Sequence, residues 1–180
     1  MISLRSKLTQ SVLNYFLLHE EAEAYVNELA RRFELDDGNL ARKLKELERE
    51  GILQSKIRGR ERYYSLNPKF PLLAEYKRII LKTVGFEASL KKVLEDVPGL
   101  ERASLFGSYA QDKMDVSSDI DLLAVGSHDS IELRKKIAVL CKSIDREINV
   151  VNMSRSEYER KKGKDPLLMS IARKKKIVLL

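Results

Sequence analysis

The stretch LFGSYAQDKMDVSSDIDLLAV, residues 105–125, places two carboxylates at the start of a strand-like segment that is otherwise apolar. Successive side chains of a strand point to opposite faces, so Asp119 and Asp121 share one face and the intervening Ile120 lies on the other. Two like charges side by side repel each other and add nothing to folding. A divalent cation would resolve the conflict, because Mg²⁺ takes oxygen ligands and is commonly held by one or two carboxylates together with substrate phosphates.

A glycine–serine pair precedes these carboxylates. Gly107 has no Cβ, so a phosphate group could approach the backbone closely. Ser108 offers a hydroxyl and an amide at the start of an expected helical turn, where anions are favoured. Ten residues, 109–118, separate this pair from the Asp-x-Asp motif. The layout therefore predicts a site for phosphate groups and a metal ion.

From residue 85 onward the chain alternates between helical and strand-like segments, which predicts a mixed α/β domain. Ser154 with Glu157 forms a capping box, and Asp165 followed by Pro166 gives a second helix start. The predicted strands are RASLFG, DIDLLAVG, REINVVNM and KIVLL.

The Gly-Ser and Asp-x-Asp layout, with its apolar flanks SLF and LLAVG, resembles the minimal nucleotidyltransferases of the polymerase-beta superfamily. The resemblance covers residues 85–180. It implies that Asp119 and Asp121 are catalytic metal ligands and that Gly107 and Ser108 bind the nucleotide. The implied cofactor is Mg²⁺ and the implied substrate is a nucleoside triphosphate, with ATP the expected one. A nucleotidyl group would pass to a hydroxyl acceptor and pyrophosphate would leave.

The chain departs from this family at the third carboxylate, which usually comes from a later strand. Here Asn149 stands at that position, and an amide can neither carry the charge nor act as a base. Glu147 lies on the same face two residues earlier and is the candidate catalytic substitute. If Glu147 serves, the chain is an active transferase; if not, it is an inactive nucleotide-sensing regulator. An antitoxin-type enzyme that modifies a partner protein is a further alternative.

The N-terminal half reads as three helices followed by a hairpin. Leu40, Leu44 and Leu47 form the apolar stripe of the third helix, and Gly59 suits the turn between two β-prone runs. This order, in residues 3–70, resembles the winged helix-turn-helix transcription regulators. The resemblance implies double-stranded DNA as a partner. The implied DNA-binding residues are Asn39, Arg42, Lys43, Arg58 and Arg60.

A less specific interpretation of this half stays open. The polar face of an amphipathic helix is usually only solvated, and winged helices also dock on proteins. Glu46, Glu48 and Glu50 alternate with the basic residues and would repel phosphate. Helix order together with a basic wing favours DNA binding over a structural role.

Together these segments predict a two-domain α+β and α/β protein. The expected domains are a winged helix over residues 1–70, a connecting helix over 71–84, and a minimal nucleotidyltransferase fold over 85–180, with a mixed sheet flanked by helices. The connecting helix has an apolar side that could pack on a second copy, so a homodimer is compatible with the sequence.

The composition supports this assignment. Of 180 residues, 43% are hydrophobic and 34% are charged, which is typical of globular proteins. The net charge of +7 is shared by the two halves and favours polyanionic partners. No apolar run reaches the roughly 18 residues that would span a bilayer. We therefore expect a cytoplasmic protein without a membrane segment, and we expect Cys141, the single cysteine, to be a core residue.

Overall fold

The computed structural model describes residues 4–115 and 118–180, and the chain divides into two units, Met1–Ala88 and Ser89–Leu180. The division falls inside one helix, Phe86–Glu95. The boundaries expected between winged helix, connecting helix and transferase domain stay predictions. Within the described ranges, no helix has the length and apolar character needed to cross a bilayer.

The N-terminal unit combines helices with a small antiparallel sheet. Its elements are α1 (Lys7–Leu18), β1 (Ala24–Tyr25), α2 (Val26–Phe33), α3 (Asp37–Arg49), β2 (Leu53–Arg58), β3 (Glu61–Leu66) and α4 (Leu73–Thr83). The strand order is β1-β3-β2. The short β1 differs from the sequence expectation of three helices and a hairpin; its pairing with Tyr63 and Tyr64 holds residues 24–25 extended.

Helix α3 forms because its start and its apolar stripe are both encoded locally. The Asp36 side chain accepts a hydrogen bond from the Asn39 backbone amide at 2.8 Å, which satisfies one of the free amides of the first turn. Leu40, Leu44 and Leu47 are completely buried, as their spacing predicts. The opposite face of α3 is thereby turned to solvent.

The C-terminal unit is a mixed α/β layer. Its elements are α5 (Phe86–Glu95), β4 (Leu100–Phe106), α6 (Gly107–Ala110), β5 (Ile120–Gly126), α7 (Ser130–Ile144), β6 (Ile148–Met153), α8 (Arg155–Lys161), α9 (Pro166–Arg173) and β7 (Ile177–Val178). The strand order is β6-β5-β4-β7. Strand β5 runs parallel to β6 and antiparallel to β4, so the predicted mixed sheet with flanking helices is confirmed.

Helices α8 and α9 begin at the caps that the sequence predicts. The Ser154 hydroxyl accepts a hydrogen bond from the Glu157 amide at 3.1 Å, and Asp165 accepts from the Leu167 amide at 2.9 Å. Both helices follow β6 and cover an apolar cluster on one face of the sheet. The buried members of this cluster are Phe106, Leu123, Val125, Met153, Leu168 and Ile171.

Candidate functional site

The turn after β4 requires glycine at its first position. Gly107 has φ of +69°, a conformation that residues with a Cβ rarely adopt. A Cβ added there would overlap Oδ2 of Asp121 and lie 3.1 Å from its Cγ. The carboxylate therefore fills the space that a side chain would need, and two of the predicted site residues are in direct contact.

The loop beyond this turn is closed by bonds to its own backbone. The Lys113 amide donates to the Ser108 carbonyl oxygen at 2.9 Å, and the Gln111 side-chain amide donates to the Gly107 carbonyl oxygen at 3.1 Å. Ser108 is half-buried beside the glycine. The backbone path of the Gly-Ser pair is thus defined by local hydrogen bonds.

Asp121 is the one residue of β5 that is not fully buried. Phe106 of β4 stands opposite it on one side and Asn149 of β6 on the other. Burial raises the pKa of the Asp121 carboxyl above its ordinary value. A hydrogen bond from the Asn149 side chain lowers that pKa, and the negative charge of Asp119 raises it, so the net shift is upward.

Asp119 immediately precedes β5 and is exposed. Its charge acts on the Asp121 carboxyl, as expected for two residues on one face of a strand. Burial is the main cause of the raised pKa of Asp121, and the charge of Asp119 adds to it. The repulsion inferred from the sequence is therefore present in the structure.

Asn149 and Glu147 occupy different places relative to this pair. Asn149 is level with Asp121 across the parallel β5–β6 ladder and bonds to it. Glu147 is exposed just before β6, and its backbone carbonyl accepts from the Ile120 amide at 3.0 Å. Continuing the β5–β6 register by one residue sets Glu147 level with Asp119. The four side chains thus share one region of the sheet surface, with the amide rather than a carboxylate beside Asp121.

The donor set suits a hard divalent cation. Within residues 4–115 and 118–180, no three His, Cys, Asp or Glu side chains gather into a metal-binding group. Asp119 and Asp121 remain as two carboxylates, and burial together with the charge of Asp119 raises the pKa of Asp121. Mg²⁺ is often held by one or two carboxylates, with water and phosphate oxygens in its other positions. The residues present therefore fit that ion.

A family comparison identifies the unit that carries this site. Residues 88–178 match the family described as "Polymerase beta, Nucleotidyltransferase". The chain belongs to this family. The matched range contains the glycine turn, both aspartates and Asn149, and it confirms the coarse fold that the sequence predicts for this nucleotidyltransferase. No curated protein matches the chain.

Solved structures give weaker likenesses to the nucleotidyltransferase. A toxin–antitoxin structure with AMP-PNP has 24% identity over 52% of this chain and 72% of that chain, with a TM-score of 0.39. A tri-AMPylated Shewanella oneidensis HEPN toxin in complex with MNT antitoxin has 22% identity over 52% and 68%, with a TM-score of 0.35. Reduced HlyU from Vibrio cholerae has 25% identity over 43% and 75%, with a TM-score of 0.35. At these TM-scores the likenesses define no function for either unit.

Sequence reasoning missed one residue that supports the site. The Arg146 guanidinium donates to the carbonyl oxygen of Asp115 at 3.0 Å and to that of Ser118 at 2.9 Å. It thereby holds Ser118, the residue directly before Asp119. Only a basic residue just before β6 signals this role in the sequence, and such a residue is not distinctive.

The predicted DNA-binding residues of α3 lie on the exposed side of the N-terminal unit. The Arg42 guanidinium donates to the side-chain oxygen of Asn39. Lys43 is half-buried and forms an ion pair with Glu46 at 2.7 Å. These residues line a groove of about 920 Å³. The remaining lining residues include Leu8, Lys45, Glu48, Arg49 and Arg62.

The predicted wing residues lie at the β2–β3 turn. Arg58 pairs with Glu23 and lies over the Tyr63 ring, with its guanidinium carbon 5.3 Å from the ring centroid. Gly59 has φ of +61°, so the turn uses the glycine as the sequence predicts. Arg60 follows it and is exposed. One predicted contact residue is therefore engaged by an acidic neighbour, whereas Arg60 faces solvent.

Proposed function

We propose that the C-terminal unit binds a magnesium nucleoside triphosphate and transfers its nucleotidyl group to a hydroxyl acceptor. Family membership supports the reaction class. The observation that carries the proposal is that the Asp121 carboxylate packs against Gly107, with a pKa that burial raises and that the charge of Asp119 raises further. Two carboxylates that repel each other beside the glycine turn favour the binding of a cation, and the bound cation in turn favours a phosphate group.

Each residue has a distinct role in this proposal. Asp119 and Asp121 would hold Mg²⁺, which when bound neutralises triphosphate charge. Gly107 leaves room for the Asp121 carboxylate, and Ser108 would offer its hydroxyl to phosphate oxygens. The acceptor oxygen forms a bond to the α-phosphorus, the bond from that phosphorus to the bridging oxygen breaks, and pyrophosphate leaves. Glu147 is the proposed recipient of the acceptor proton.

Transfer of label from an α-labelled nucleotide tests this function. We expect magnesium-dependent labelling by the native chain and loss of at least 100-fold in Asp119→Asn, because removing the group that holds the ion removes charge stabilisation of that order. Asp96→Asn makes the same chemical change at an exposed position of this unit and should label normally. Labelling that persists in Asp119→Asn would contradict the proposal.

The inactive nucleotide sensor is the alternative if Asn149 prevents turnover. It requires magnesium-dependent nucleotide binding by the native chain without any transfer, together with a change in DNA affinity when nucleotide is added. The antitoxin-type alternative requires label on a partner protein. Both alternatives use the same nucleotide site, so the labelling assay and a binding titration separate them.

A second proposed function belongs to the N-terminal unit, which we propose is a winged helix-turn-helix that binds double-stranded DNA. The supporting observation is α3, capped at Asp36 and buried along its leucine stripe, which turns Asn39 and Arg42 to solvent at its N-terminal end. In such proteins this end of the helix contacts base edges in the major groove. The exposed Arg60 is placed for phosphate or minor-groove contact.

A salt-dependent mobility-shift assay on duplex DNA tests the second function. Arg42→Ala with Arg60→Ala should weaken binding at least tenfold and reduce the salt dependence, because two phosphate or base contacts are lost. Arg78→Ala with Lys82→Ala removes the same charge from the exposed side of α4 and serves as the control. If both double variants lost the same DNA affinity, net charge alone would explain binding and the proposed surface would be wrong.

A further inference from the structure

A cavity of about 150 Å³ lies inside the C-terminal unit, between the sheet and the two helices that follow β6. Its apolar lining includes Leu123 and Val125 of β5 and Leu168 and Ile171 of α9. These four side chains belong to the buried cluster on this face of the sheet, and each is at most 6% exposed. Native cores contain few voids larger than a water molecule, so a cavity of this size beside a packed cluster is a candidate ligand site.

Three strands form the floor of the cavity. Val178 of β7 pairs with Ser104 of β4, and Ser104 pairs with Leu123 of β5. All three residues line the cavity. Because β4 and β7 are antiparallel, Arg102 and Lys176, each two residues before this row, project from the same face on its opposite sides. Both of these cationic residues line the cavity as well.

The two cations at the cavity are only weakly neutralised. The Lys176 side chain is exposed and forms no ion pair with the residues that the structure describes. The Arg102 guanidinium lies 4.0 Å from a carboxylate oxygen of Glu159, and its carbon lies 5.7 Å from the centroid of the Tyr158 ring. Glu159 is shared with Lys162, which lies 3.8 Å from its other carboxylate oxygen. Exposed ion pairs at such distances are weak, so this side of the cavity keeps a net positive charge.

We propose that the cavity binds a small carboxylate with a ring-sized apolar body, and that Arg102 and Lys176 hold its charge. A cavity of about 150 Å³ lined by aliphatic side chains has room for one benzene ring. It is smaller than the roughly 300 Å³ of the smallest pockets for drug-sized ligands, so it is too small to enclose a nucleotide. The net positive charge favours an anion over a neutral ligand of the same shape. Ser104 and Tyr158 are the other polar residues of the lining and would fix the orientation of the ligand.

The cavity is distinct from the proposed transfer site. Among the described residues, Gly107, Ser108, Asp119, Asp121 and Asn149 do not belong to its lining. Ligand binding therefore does not depend on the proposed transfer function, and it can be measured without a nucleotide.

A chemical-shift titration of the isotope-labelled full chain by NMR tests the site, with benzoate as the probe. We expect saturable shifts of the Leu123, Val125 and Ile171 methyl groups, with a dissociation constant of about 1 mM or lower, as a ligand of so few atoms allows. Benzamide has the ring without the charge, and acetate has the charge without the ring. Each should bind about tenfold more weakly than benzoate, because it lacks either the charge-assisted contacts or the apolar burial. Absence of saturable shifts with benzoate, or equal affinity for benzamide, would overturn the proposal.

Arg102→Gln together with Lys176→Gln tests the charge contacts. The affinity for benzoate should fall about tenfold, whereas that for benzamide should not change, because the apolar lining is intact. The control is Arg155→Gln with Lys174→Gln. Arg155 also has an acidic partner, with its guanidinium 3.5 Å from a Glu101 carboxylate oxygen, and Lys174 is also exposed, but neither lines the cavity. An equal loss in this control would mean that net charge alone attracts the anion, and the assignment of the two cations would be wrong.

Ala172→Phe tests the apolar part of the site. Ala172 lines the cavity and is exposed, so a larger side chain there can fill the cavity without displacing the core. Benzoate and benzamide should both bind about tenfold more weakly, because the new ring removes the apolar surface that they would bury. Ala138→Phe makes the same change at an exposed position of α7 and should bind as the native chain does. Native affinity for benzoate in Ala172→Phe would show that the ligand does not enter this cavity.

Discussion

Two acidic side chains, one in each unit, have opposite surroundings. Glu23 precedes β1, pairs with Lys56 at 2.6 Å and also pairs with Arg58. The hydrogen bond from Lys56 and the neighbouring cations hold the pKa of Glu23 below its usual value. Asp121 is half-buried beside another carboxylate, and its pKa is raised. The chain itself supplies cations beside Glu23, whereas in the proposed function a bound cation neutralises Asp121.

This difference distinguishes a charged group that stabilises the fold from one that we assign to the proposed site. Ionised Glu23 has partners and contributes to holding the wing in place. Ionised Asp121 is penalised by burial and by Asp119, and only the Asn149 hydrogen bond offsets part of that penalty. Groups whose pKa is perturbed without a compensating partner are enriched at functional sites. The contrast therefore directs experiments to the C-terminal pair first.

The largest expected effect on nucleotide transfer comes from adding a side chain at Gly107, in the space that the Asp121 carboxylate occupies. Gly107→Ala places a methyl group where the carboxylate oxygen lies, so we expect loss of nucleotide transfer by at least 100-fold, on the scale of one displaced charged group. Calorimetric titration with a magnesium nucleotide should show the same loss. Gly163→Ala is the control, since Gly163 has a similar φ of +79° but no atom within 4 Å of an added Cβ. Both changes should cost about 1–2 kcal/mol of backbone strain, so only the contact with Asp121 distinguishes them.

A second test supplies the missing carboxylate. Asn149→Asp replaces the hydrogen-bond donor to Asp121 with a third negative charge, which should raise the pKa of Asp121 further and destabilise the ion-free protein. Magnesium should then bind about tenfold more tightly, equivalent to about 1.4 kcal/mol. Thermal unfolding at increasing Mg²⁺ measures both effects. Asn149→Ala removes the hydrogen bond without adding charge, and an identical magnesium response in the two variants would contradict the arrangement.

The pH dependence of stability gives a smaller effect. Because the pKa of Asp121 is raised in the folded state, its neutral form is compatible with folding at low pH, and stability is lost as pH rises through the raised pKa. Asp121→Asn without metal should therefore increase the free energy of unfolding at neutral pH, by less than about 1 kcal/mol because partial exposure screens the charge. The gain should vanish below the pKa of an unfolded aspartate. Denaturant unfolding at both pH values measures it, and a loss of stability at neutral pH would show that Asp121 is already neutralised.

The smallest expected effect is on duplex-DNA binding and stability, and it comes from a change at Glu23 in the N-terminal unit. Glu23 has a lowered pKa, so its contribution to stability is present above the pKa of an unfolded glutamate and is lost as pH falls through the folded value. Glu23→Gln should abolish this dependence and free Lys56 and Arg58 from their acidic partner. Duplex DNA should then bind about threefold more tightly at low salt, a small gain because exposed pairs are weak. Glu75→Gln removes the same charge from α4 and should leave the affinity unchanged; weaker binding by Glu23→Gln would mean that the ion pairs support the wing instead.

Much of the fold could be predicted because its signals are local. The leucine spacing of α3, the Ser154 and Asp165 caps and the alternation around Asp119 and Asp121 act over a few residues. Strand β1 was missed because two residues carry no periodic pattern, and only pairing with β3 holds them extended. The role of Arg146 was missed for a related reason, since its partners lie 28 and 31 residues away in the chain.

The amino-acid sequence by itself determined that two aspartates share a face and that a glycine–serine pair precedes them, and the family resemblance predicts a third carboxylate where Asn149 stands. Only the tertiary structure decided that Asp121 rests on Gly107, that Asn149 bonds to it, and that Arg102 and Lys176 line one cavity. Side-chain alternation is a property of each strand alone. Contacts between β4, β5, β6 and β7 depend on strand order and register, which residues distant in the chain set together.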